Sequence, residues 1–264
     1  MECEKRYNSS LTDAEWAVLE PLIPKADKGG RPPEYSKRSI IDGILYLLRH
    51  GCTWRGLPHD LPPWRIVWHY FHRWKESGLW KRINDTLRDQ VRLKHGKKKA
   101  PTAAIIDSQS VRTTEQGGER GYDAGKKISG RKRHLLVDTL GLLLLVCVHP
   151  ANIQDRDGAR LLLDALRERF GWLRCIWADG AYAGPLAAWV AQLWPRRGTR
   201  LEIVKHHKKV HGFKLLPKRW IVERTFAWLG RNRRLSKDYE RTVSSSEAFI
   251  YIAMIRHMTK TLAR

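Results

Sequence analysis

The chain has 264 residues, with 50 lysines and arginines against 27 aspartates and glutamates, so its formal charge at pH 7 is +23. This length suits one large or two modest domains with buried cores. So large a positive charge predicts a polyanionic partner, with nucleic acid favoured over an anionic membrane. The longest apolar run, residues 140–148, is far shorter than the ~20 residues of a membrane-spanning helix, which argues against a membrane protein.

The N-terminal residues and the cysteines predict the cellular compartment. Residues 1–10 lack the apolar core of a secretory signal. The four cysteines fall singly along the chain, without the close pairs that zinc sites and disulfide frameworks show. We therefore expect a protein of the reducing cytoplasm.

The pattern of residues 1–98 predicts a domain of helices. Thr12 and Glu15 form a capping box at the start of the first helix, and Gly51 ends the second. Apolar residues at helical spacing predict the buried faces of the second, third and fourth helices: Ile40, Ile41, Ile44, Leu45 and Leu48; Trp64, Val67, Trp68, Phe71 and Trp74; Leu79, Ile83, Leu87 and Val91.

Arg65 and Arg73 fall on the opposite side of the third helix. If the second and third helices form a helix-turn-helix, this basic side would face a DNA groove. A plain helical bundle explains the aromatic stripe equally well, and the connection is longer than the tightest turns of that motif. Both interpretations stay open from the sequence.

The pattern changes after the basic segment 94–102. From residue 101 it predicts a strand, a hairpin, a helix, a strand, a helix, a strand and a helix, which is an α/β layer built on a mixed sheet. We therefore predict two domains, a helical domain at residues 1–98, which would bind DNA if the helix-turn-helix interpretation holds, and an α/β domain at residues 99–264.

Two acids each follow an apolar stretch in this second half. Asp107 follows residues 103–106, and Asp179 follows the stretch that begins at Leu173. Ligands gather at the carboxyl edge of an open sheet, and a buried carboxylate costs several kcal/mol unless a cation or hydrogen bonds offset it. The pair suggests a hard divalent metal, although an ordinary acid at a strand end explains each residue taken alone.

Glu223 is the third candidate. It stands alone among cations, with no other acid between Glu202 and Asp238, and Arg219 precedes it by one helical turn. The ordinary interpretation is an ion pair with Arg219 within a helix. Three carboxylates that converge from two strands and a helix are what two-metal phosphoryl transfer requires, and Mg²⁺ suits that chemistry.

Several motifs resemble those of one family. The stretches "IIDSQSVRTT", "GRKRHLLVDTLGLLL", "WADGAYAG" and "KRWIVERTFAWLGRNRRL", together with the N-terminal "LTDAEWAVLEPLIP", are similar to the DDE transposases of bacterial insertion sequences, in the group named for insertion sequence five. The resemblance covers nearly the whole chain. It implies a ribonuclease-H-like core that binds two Mg²⁺ ions, with Mn²⁺ as a substitute, and that carries Asp107 on its first strand, Asp179 after the fourth and Glu223 on a following helix.

The family signature around the glutamate is matched in part. Arg219 and Glu223 fit it, whereas Leu216 stands in the tyrosine position and Gly230, followed by Arg231, stands in the lysine position. The resemblance implies a transposase that binds terminal inverted repeats in double-stranded DNA, cleaves the element ends by metal-assisted hydrolysis and joins the 3′-hydroxyls to target DNA.

The basic residues that we expect to contact DNA lie in both predicted domains. They are Arg65, Arg73, Lys126, Lys127, Arg131, Lys205, Arg219, Arg224 and Arg231. Two element ends imply at least a homodimer in the DNA complex. The resemblance to transposases of bacterial insertion sequences implies a cytoplasmic protein that associates with the nucleoid when it binds DNA.

Two alternatives remain open at this stage. A helix-turn-helix regulator with a non-catalytic α/β half would bind DNA whether or not a divalent metal is present. A ribonuclease-H-type nuclease would hydrolyse DNA without joining the ends. The acids alone fit the nuclease and the transposase equally, so the preference for a transposase rests on the family resemblance.

Overall fold

The computed structural model describes residues 7–25, 34–165, 169–193, 198–204 and 218–264. Helices form the N-terminal part, and four successive strands, followed by helices and two further strands, form the rest. In chain order the elements are α1 Asp13–Leu19, α2 Lys37–His50, α3 Trp64–Glu76, α4 Leu79–Lys94, β1 Ala103–Arg112, β2 Gly121–Asp123, β3 Ile128–Asp138, β4 Leu143–Pro150, α5 Asp155–Asp164, β5 Cys175–Ala178, α6 Pro185–Leu193, β6 Arg200–Ile203, α7 Trp220–Gly230 and α8 Val243–Leu262.

Side-chain hydrogen bonds and backbone conformation determine where the N-terminal helices begin and end. The predicted capping box opens α1, because the Thr12 hydroxyl accepts from the Glu15 amide and the Glu15 carboxylate accepts from the Thr12 amide. Gly51 ends α2 in the left-handed conformation, with φ of 71°, which glycine adopts without a steric penalty. The predicted buried faces of α2 and α4 are confirmed.

Helix α3 departs from its predicted face. Val67, Phe71 and Trp74 are buried as expected, but Trp68 is 43% exposed and stacks on His72. Trp64 is half-buried. The apolar stripe is therefore narrower than the run of tryptophans suggests, and the prediction that Trp68 lies in the core is wrong. Indole rings pack well against other rings at a surface, so an exposed tryptophan needs no core partner.

A mixed sheet forms the centre of the second half. Its order is β2-β3-β1-β5-β6, and β4 pairs with β3. Strand β3 is antiparallel to both β1 and β4, whereas β5 is parallel to β1 and to β6. Three long antiparallel strands that continue into two parallel ones are consistent with the ribonuclease-H-like core that the resemblance implies. The short strand β2 pairs with the beginning of β3 in antiparallel orientation.

Apolar clusters cover both faces of the sheet. On one face, Ile106 and Leu136 pack with residues of α5 and α6. On the other, Ile105 and Leu135 join a larger cluster that includes α7, α8 and the N-terminal helices. The long helix α8 is central to this cluster, because it packs against α1, α2, α3, α4, α7 and β4. The N-terminal helices and the sheet thus share one continuous apolar core.

The connection between α2 and α3 comprises residues 51–63 and includes a short helical turn at Trp54–Gly56. A helix-turn-helix usually has a turn of about three or four residues, so the motif stays a prediction here. The division of the chain near residue 98 also stays a prediction. In the ranges that the structure describes, no helix has both the length and the apolar character to cross a membrane.

Candidate active site

Asp107 lies inside strand β1 and not at its end. The prediction of a strand-ending acid is wrong, because β1 continues to Arg112 through pairing with β3 along its length. Pairing with β5, in contrast, stops at Ile105. Asp107 therefore lies two residues beyond the point where the parallel neighbour ends, which opens the sheet on that side. The apolar run ends there, but the strand does not.

Asp179 follows an apolar strand directly, as predicted, but that strand is the fifth, β5, and not the fourth, because the short β2 precedes it. Its backbone is extended, and its Oδ1 accepts a hydrogen bond of 2.9 Å from the Ala181 amide, so that it caps the short turn Gly180–Tyr182. This cap fixes the carboxylate at the end of β5. Because β5 is parallel to β1, Asp179 lies at the same edge of the sheet as Asp107.

Glu223 is in the first turn of α7, which packs against β1. Arg219 precedes this helix and brings the three acids into one cluster. Its Nη2 lies 3.9 Å from Oδ2 of Asp107, 3.7 Å from Oδ2 of Asp179 and 3.7 Å from Oε1 of Glu223. The ion pair between Arg219 and Glu223 is present, but the same guanidinium also faces the two strand acids. We call Asp107, Asp179 and Glu223 the acid cluster.

The three carboxylates differ in exposure. The side chain of Asp107 is 16% exposed, that of Asp179 is 27% and that of Glu223 is 53%. Burial, opposed by a hydrogen bond from the Ser108 amide and reinforced by the charge of Asp179, raises the pKa of Asp107 to about 6. Arg219 and Lys126 act in the opposite direction. The site is thus short of positive charge at its most buried acid.

The acid cluster fits a hard cation by its chemistry, because it offers carboxylate oxygens and a buried acid whose charge is poorly balanced. As the side chains stand, no group of three or more His, Cys, Asp or Glu residues in the described part of the chain could hold a metal ion. Arg219 lies among the three carboxylates and provides their countercharge. Binding of a metal would require the guanidinium to move away.

A polar network supports the other face of β1. Ser108 Oγ donates to Asp155 Oδ1 at 2.8 Å, and Lys132 Nζ lies 3.0 Å from the same oxygen. His134 Nδ1 and His149 Nε2 share a hydrogen bond of 2.8 Å, and burial together with the charge of His149 lowers the pKa of His134 to about 3. No local motif reveals this network, because its members come from β1, β3, β4 and α5.

The comparison with protein families decides the identity of the chain. A family model described as the transposase DDE domain matches residues 98–258, more than half of the chain. A second, described as a putative transposase of the IS4/5 family, matches residues 11–84. The chain belongs to the DDE transposases of insertion sequences. Proteins of this family generally use divalent metal ions, in keeping with the chemistry of the acid cluster.

Named relatives of this transposase come from bacteria. An uncharacterized 16.2 kDa protein of insertion element IS402 from Burkholderia cepacia is 30% identical over 42% of the chain and 78% of its own length. The putative transposase for insertion sequence element IS402 from the same organism is 30% identical, over 51% of the chain and 65% of its own length.

The uncharacterized protein y4sN of Sinorhizobium fredii is 33% identical, over 30% of the chain and 59% of its own length. The chain thus spans less than two thirds of two of these relatives. No solved structure matches the chain.

The predicted DNA-contacting residues of the transposase fall in different settings. Arg65 and Arg73 lie on the outer side of α3, Lys126 and Lys127 lie in the exposed connection from β2 to β3, and Arg231 is exposed just after α7. Arg219 lies in the acid cluster. Lys205 lies outside the described residues.

Two other arginines are held by the protein itself. Arg224 is half-buried, stacks on Trp220 and Trp228, and donates to the Leu140 carbonyl. Arg131 is fully buried. Its guanidinium pairs with Asp238 at 3.2 Å and donates to backbone carbonyls of residues 119, 240 and 241. The prediction that Arg131 contacts DNA is therefore wrong in this structure, because its donors are turned inward.

Sequence reasoning also missed a group of cations around Arg231. A cavity of about 410 Å³ between α2, α7 and α8 is lined by Arg49, Arg231, Arg256 and Lys260. Trp228, stacked on His257, forms part of the same wall. These cations come from three distant parts of the sequence, so no local motif reveals that they meet.

Proposed function

We propose that this transposase binds the terminal inverted repeats of its element in double-stranded DNA, cleaves the ends and transfers the 3′-hydroxyls to target DNA. The observation that carries the proposal is the convergence of Asp107, Asp179 and Glu223 on one guanidinium nitrogen, each within 4 Å of it. Acids that lie far apart in the chain meet at one sheet edge, inside a protein whose charge is +23. Such a site suits a reaction at a DNA phosphodiester.

The acid cluster would hold two Mg²⁺ ions, for which Mn²⁺ is expected to substitute. When bound, the two ions activate the attacking oxygen and stabilise the leaving oxygen of an in-line phosphoryl transfer. Asp107, the most buried acid, would hold the ions together with Asp179 and Glu223. Glu223 is the most exposed of the three, so its side chain has room to turn toward the strands.

Arg219 has two roles in this proposal. Before DNA and metal bind, it supplies the countercharge that keeps three carboxylates at one place. With metal held by the three acids, the guanidinium would be free to bind a phosphate beside the cleaved bond, where its planar fork can donate two hydrogen bonds. In both states positive charge lies beside the three carboxylates.

The remaining cations would hold the DNA backbone. Lys126, Lys127 and Arg231 are exposed on the second half of the chain, and the cavity beside Arg231 adds exposed Arg49 and Lys260. Arg65 and Arg73 on α3 would contact the terminal repeats. We propose at least a homodimer in the complex, because two element ends must be processed together, and association with the bacterial nucleoid when DNA is bound.

Nicking of a DNA end tests the proposal directly. The purified full chain is incubated with linear DNA that carries the flanking inverted repeats, with Mg²⁺ or with EDTA, and products are separated on a denaturing gel. We expect nicking with Mg²⁺ in the wild type and in Asp164→Asn, a change at an exposed acid outside the cluster. Asp107→Asn should abolish nicking while DNA binding persists. Normal nicking by Asp107→Asn would remove the metal assignment.

Supplying a pre-cleaved 3′ end separates the alternatives. A transposase joins this end to a second DNA molecule, whereas a nuclease that cannot join leaves it unchanged. A DNA-binding regulator without catalysis would show neither nicking nor joining, and its binding would not depend on Mg²⁺. Joined product that disappears in Asp179→Asn supports strand transfer by the acid cluster.

A further inference from the structure

Two adjoining cavities lie beside the second half of β1. The larger, about 720 Å³, is lined by Arg112, Arg120, Tyr122 and Lys127 among others, and the smaller, about 420 Å³, reaches Trp68 on α3. Gln116 and Tyr239 line both cavities, so the two adjoin, and we call them together the β1–α3 groove. Arg112 follows Asp107 by five strand residues, which places the groove about 17 Å along β1 from the acid cluster.

The walls of the groove are built by buried interactions. Thr113 and Asp238 form a parallel bridge, with the Thr114 amide donating to the Asp238 carbonyl at 3.2 Å. The buried guanidinium of Arg131 then ties Glu119 to the backbone of residues 240 and 241. The groove is thus held open by the fold, and its shape does not depend on the binding of a ligand.

Positive charge dominates the lining. Seven lysines and arginines line the groove against two glutamates, Glu115 and Glu240. Glu240 pairs with Arg234 at 2.8 Å, which leaves six cations against Glu115. Four of the cations, Arg112, Arg120, Lys127 and Lys237, are exposed in the larger cavity. A phosphate backbone is the anion that such a row of separated cations fits.

Aromatic rings lie exposed among these cations. Trp68 is 43% exposed and lies parallel to His72, with an interplanar angle of 6° and ring centroids 5.1 Å apart. Tyr122 is 56% exposed, and the half-buried Tyr239 lines both cavities. Rings interleaved with cations are the surface on which successive unpaired bases stack. Duplex DNA keeps its bases stacked on one another and would use the cations alone.

We propose that the β1–α3 groove binds an unpaired segment of DNA strand, with bases stacked on Trp68 and Tyr122 and phosphates on Arg112 and Lys127. The inference rests on the proposed function and deepens it, since it names the form of DNA that the protein holds away from the acid cluster. A strand opened or displaced at the element end would supply such a segment.

Binding of a labelled oligothymidylate of about 12 nucleotides tests the groove. The full chain is titrated in EDTA, so that no cleavage can occur, and anisotropy is measured at several salt concentrations. Trp68→Ala should weaken binding roughly tenfold. Trp172→Ala is the matched control, because Trp172 is 40% exposed and lies outside the groove, and we expect it to bind like the wild type.

The cations are tested by their salt dependence. The double change Arg112→Gln and Lys127→Gln should weaken oligothymidylate binding and reduce the slope of log affinity against log salt by about 1.4, which is two single-strand phosphate contacts. Circular dichroism checks that each variant is folded. Photocrosslinking of an iododeoxyuridine oligonucleotide should map to peptides that contain Trp68 or Tyr122.

Equal affinity of wild type and Trp68→Ala for the oligothymidylate would overturn the proposal, and so would crosslinks confined to other surfaces. Binding of duplex but not of the single strand would also overturn it. These results differ from failure of the proposed function, in which repeat-end DNA is not nicked with Mg²⁺. Asp107→Asn should bind oligothymidylate normally, since it alters the acid cluster alone.

Discussion

Arg219 and Asp107 face each other between α7 and β1, with Nη2 of the arginine 3.9 Å from Oδ2 of the aspartate. This separation is longer than a hydrogen bond, so the arginine acts on the acid through its charge. The same Nη2 lies 3.7 Å from Oδ2 of Asp179 and 3.7 Å from Oε1 of Glu223. One cation thus reduces, in part, the mutual repulsion of three carboxylates, and a divalent metal in the same space would supply more positive charge.

Replacing Arg219 should make the protein more dependent on metal. We expect Arg219→Gln to lower the free energy of unfolding in EDTA by roughly 1 kcal/mol, because a partly exposed ion-pair cluster contributes on that scale. Mg²⁺ should then raise the melting temperature of the variant more than that of the wild type, since the arginine no longer competes with the ion. Arg55→Gln, at an exposed position, is the control. If Mg²⁺ raises the melting temperature of the wild type and of Arg219→Gln by the same amount, the arginine does not compete with the ion, and the proposed exchange is wrong.

Asp107 should give metal-free stability a characteristic pH dependence. Burial, with a smaller effect from Asp179, raises its pKa to about 6 from an ordinary value of 3.8. A raised pKa in the folded state favours the protonated form, so this stabilisation is present below pH 4 and is lost as pH rises through 6. In EDTA, the unfolding free energy of Asp107→Asn minus that of the wild type should therefore grow by roughly 2 to 3 kcal/mol between pH 4 and pH 7.

Urea unfolding at several pH values measures this difference. Asp42, whose pKa burial also raises to about 6, is present in both proteins, so its contribution cancels in the comparison. A difference that does not change with pH would show that Asp107 titrates normally in the folded protein.

The acids of the site could be predicted from the sequence because their signal is local. Asp107 and Asp179 each follow an apolar run, and Glu223 is a lone acid in a basic segment. Capping residues such as Thr12 and Glu15 are local in the same way. The sequence does not show how far β1 continues past Asp107, because that depends on pairing with β3, a strand more than 20 residues later.

The burial of basic residues in strand β3 is a second feature that the sequence alone does not reveal. The run Arg131, Lys132 and Arg133 looks like a solvated, DNA-facing segment, yet all three residues are buried. Arg133 donates to the carbonyls of Leu235 and Lys237, about a hundred residues away. A charged side chain is buried only where oxygens surround it, and nothing near β3 in the sequence reveals the segment that supplies them.

We therefore expect Arg131 to contribute to the stability of the folded protein and not to DNA binding. Arg131→Met leaves Asp238, which is 2% exposed, without its cation, and breaking such a buried pair costs about 3 to 5 kcal/mol. Urea unfolding should show this loss. Lys126→Met, at an exposed position five residues earlier, should change stability by less than about 0.5 kcal/mol. If Arg131→Met keeps wild-type stability and weakens DNA binding, the buried assignment is wrong.

Two helical glycines should respond to alanine in opposite ways. A Cβ on Gly158 in α5 would lie 2.4 Å from His149 Nε2 and 2.5 Å from His134 Cε1, so Gly158→Ala must displace the buried histidine pair behind β1. Overpacking of this kind costs typically about 1 to 3 kcal/mol. A Cβ on Gly230, the last residue of α7, would meet nothing within 4 Å, and alanine there should be neutral or stabilising by up to about 1 kcal/mol. Denaturant unfolding of the two variants tests the contrast, and equal stability would show that α5 does not pack this closely on the histidines.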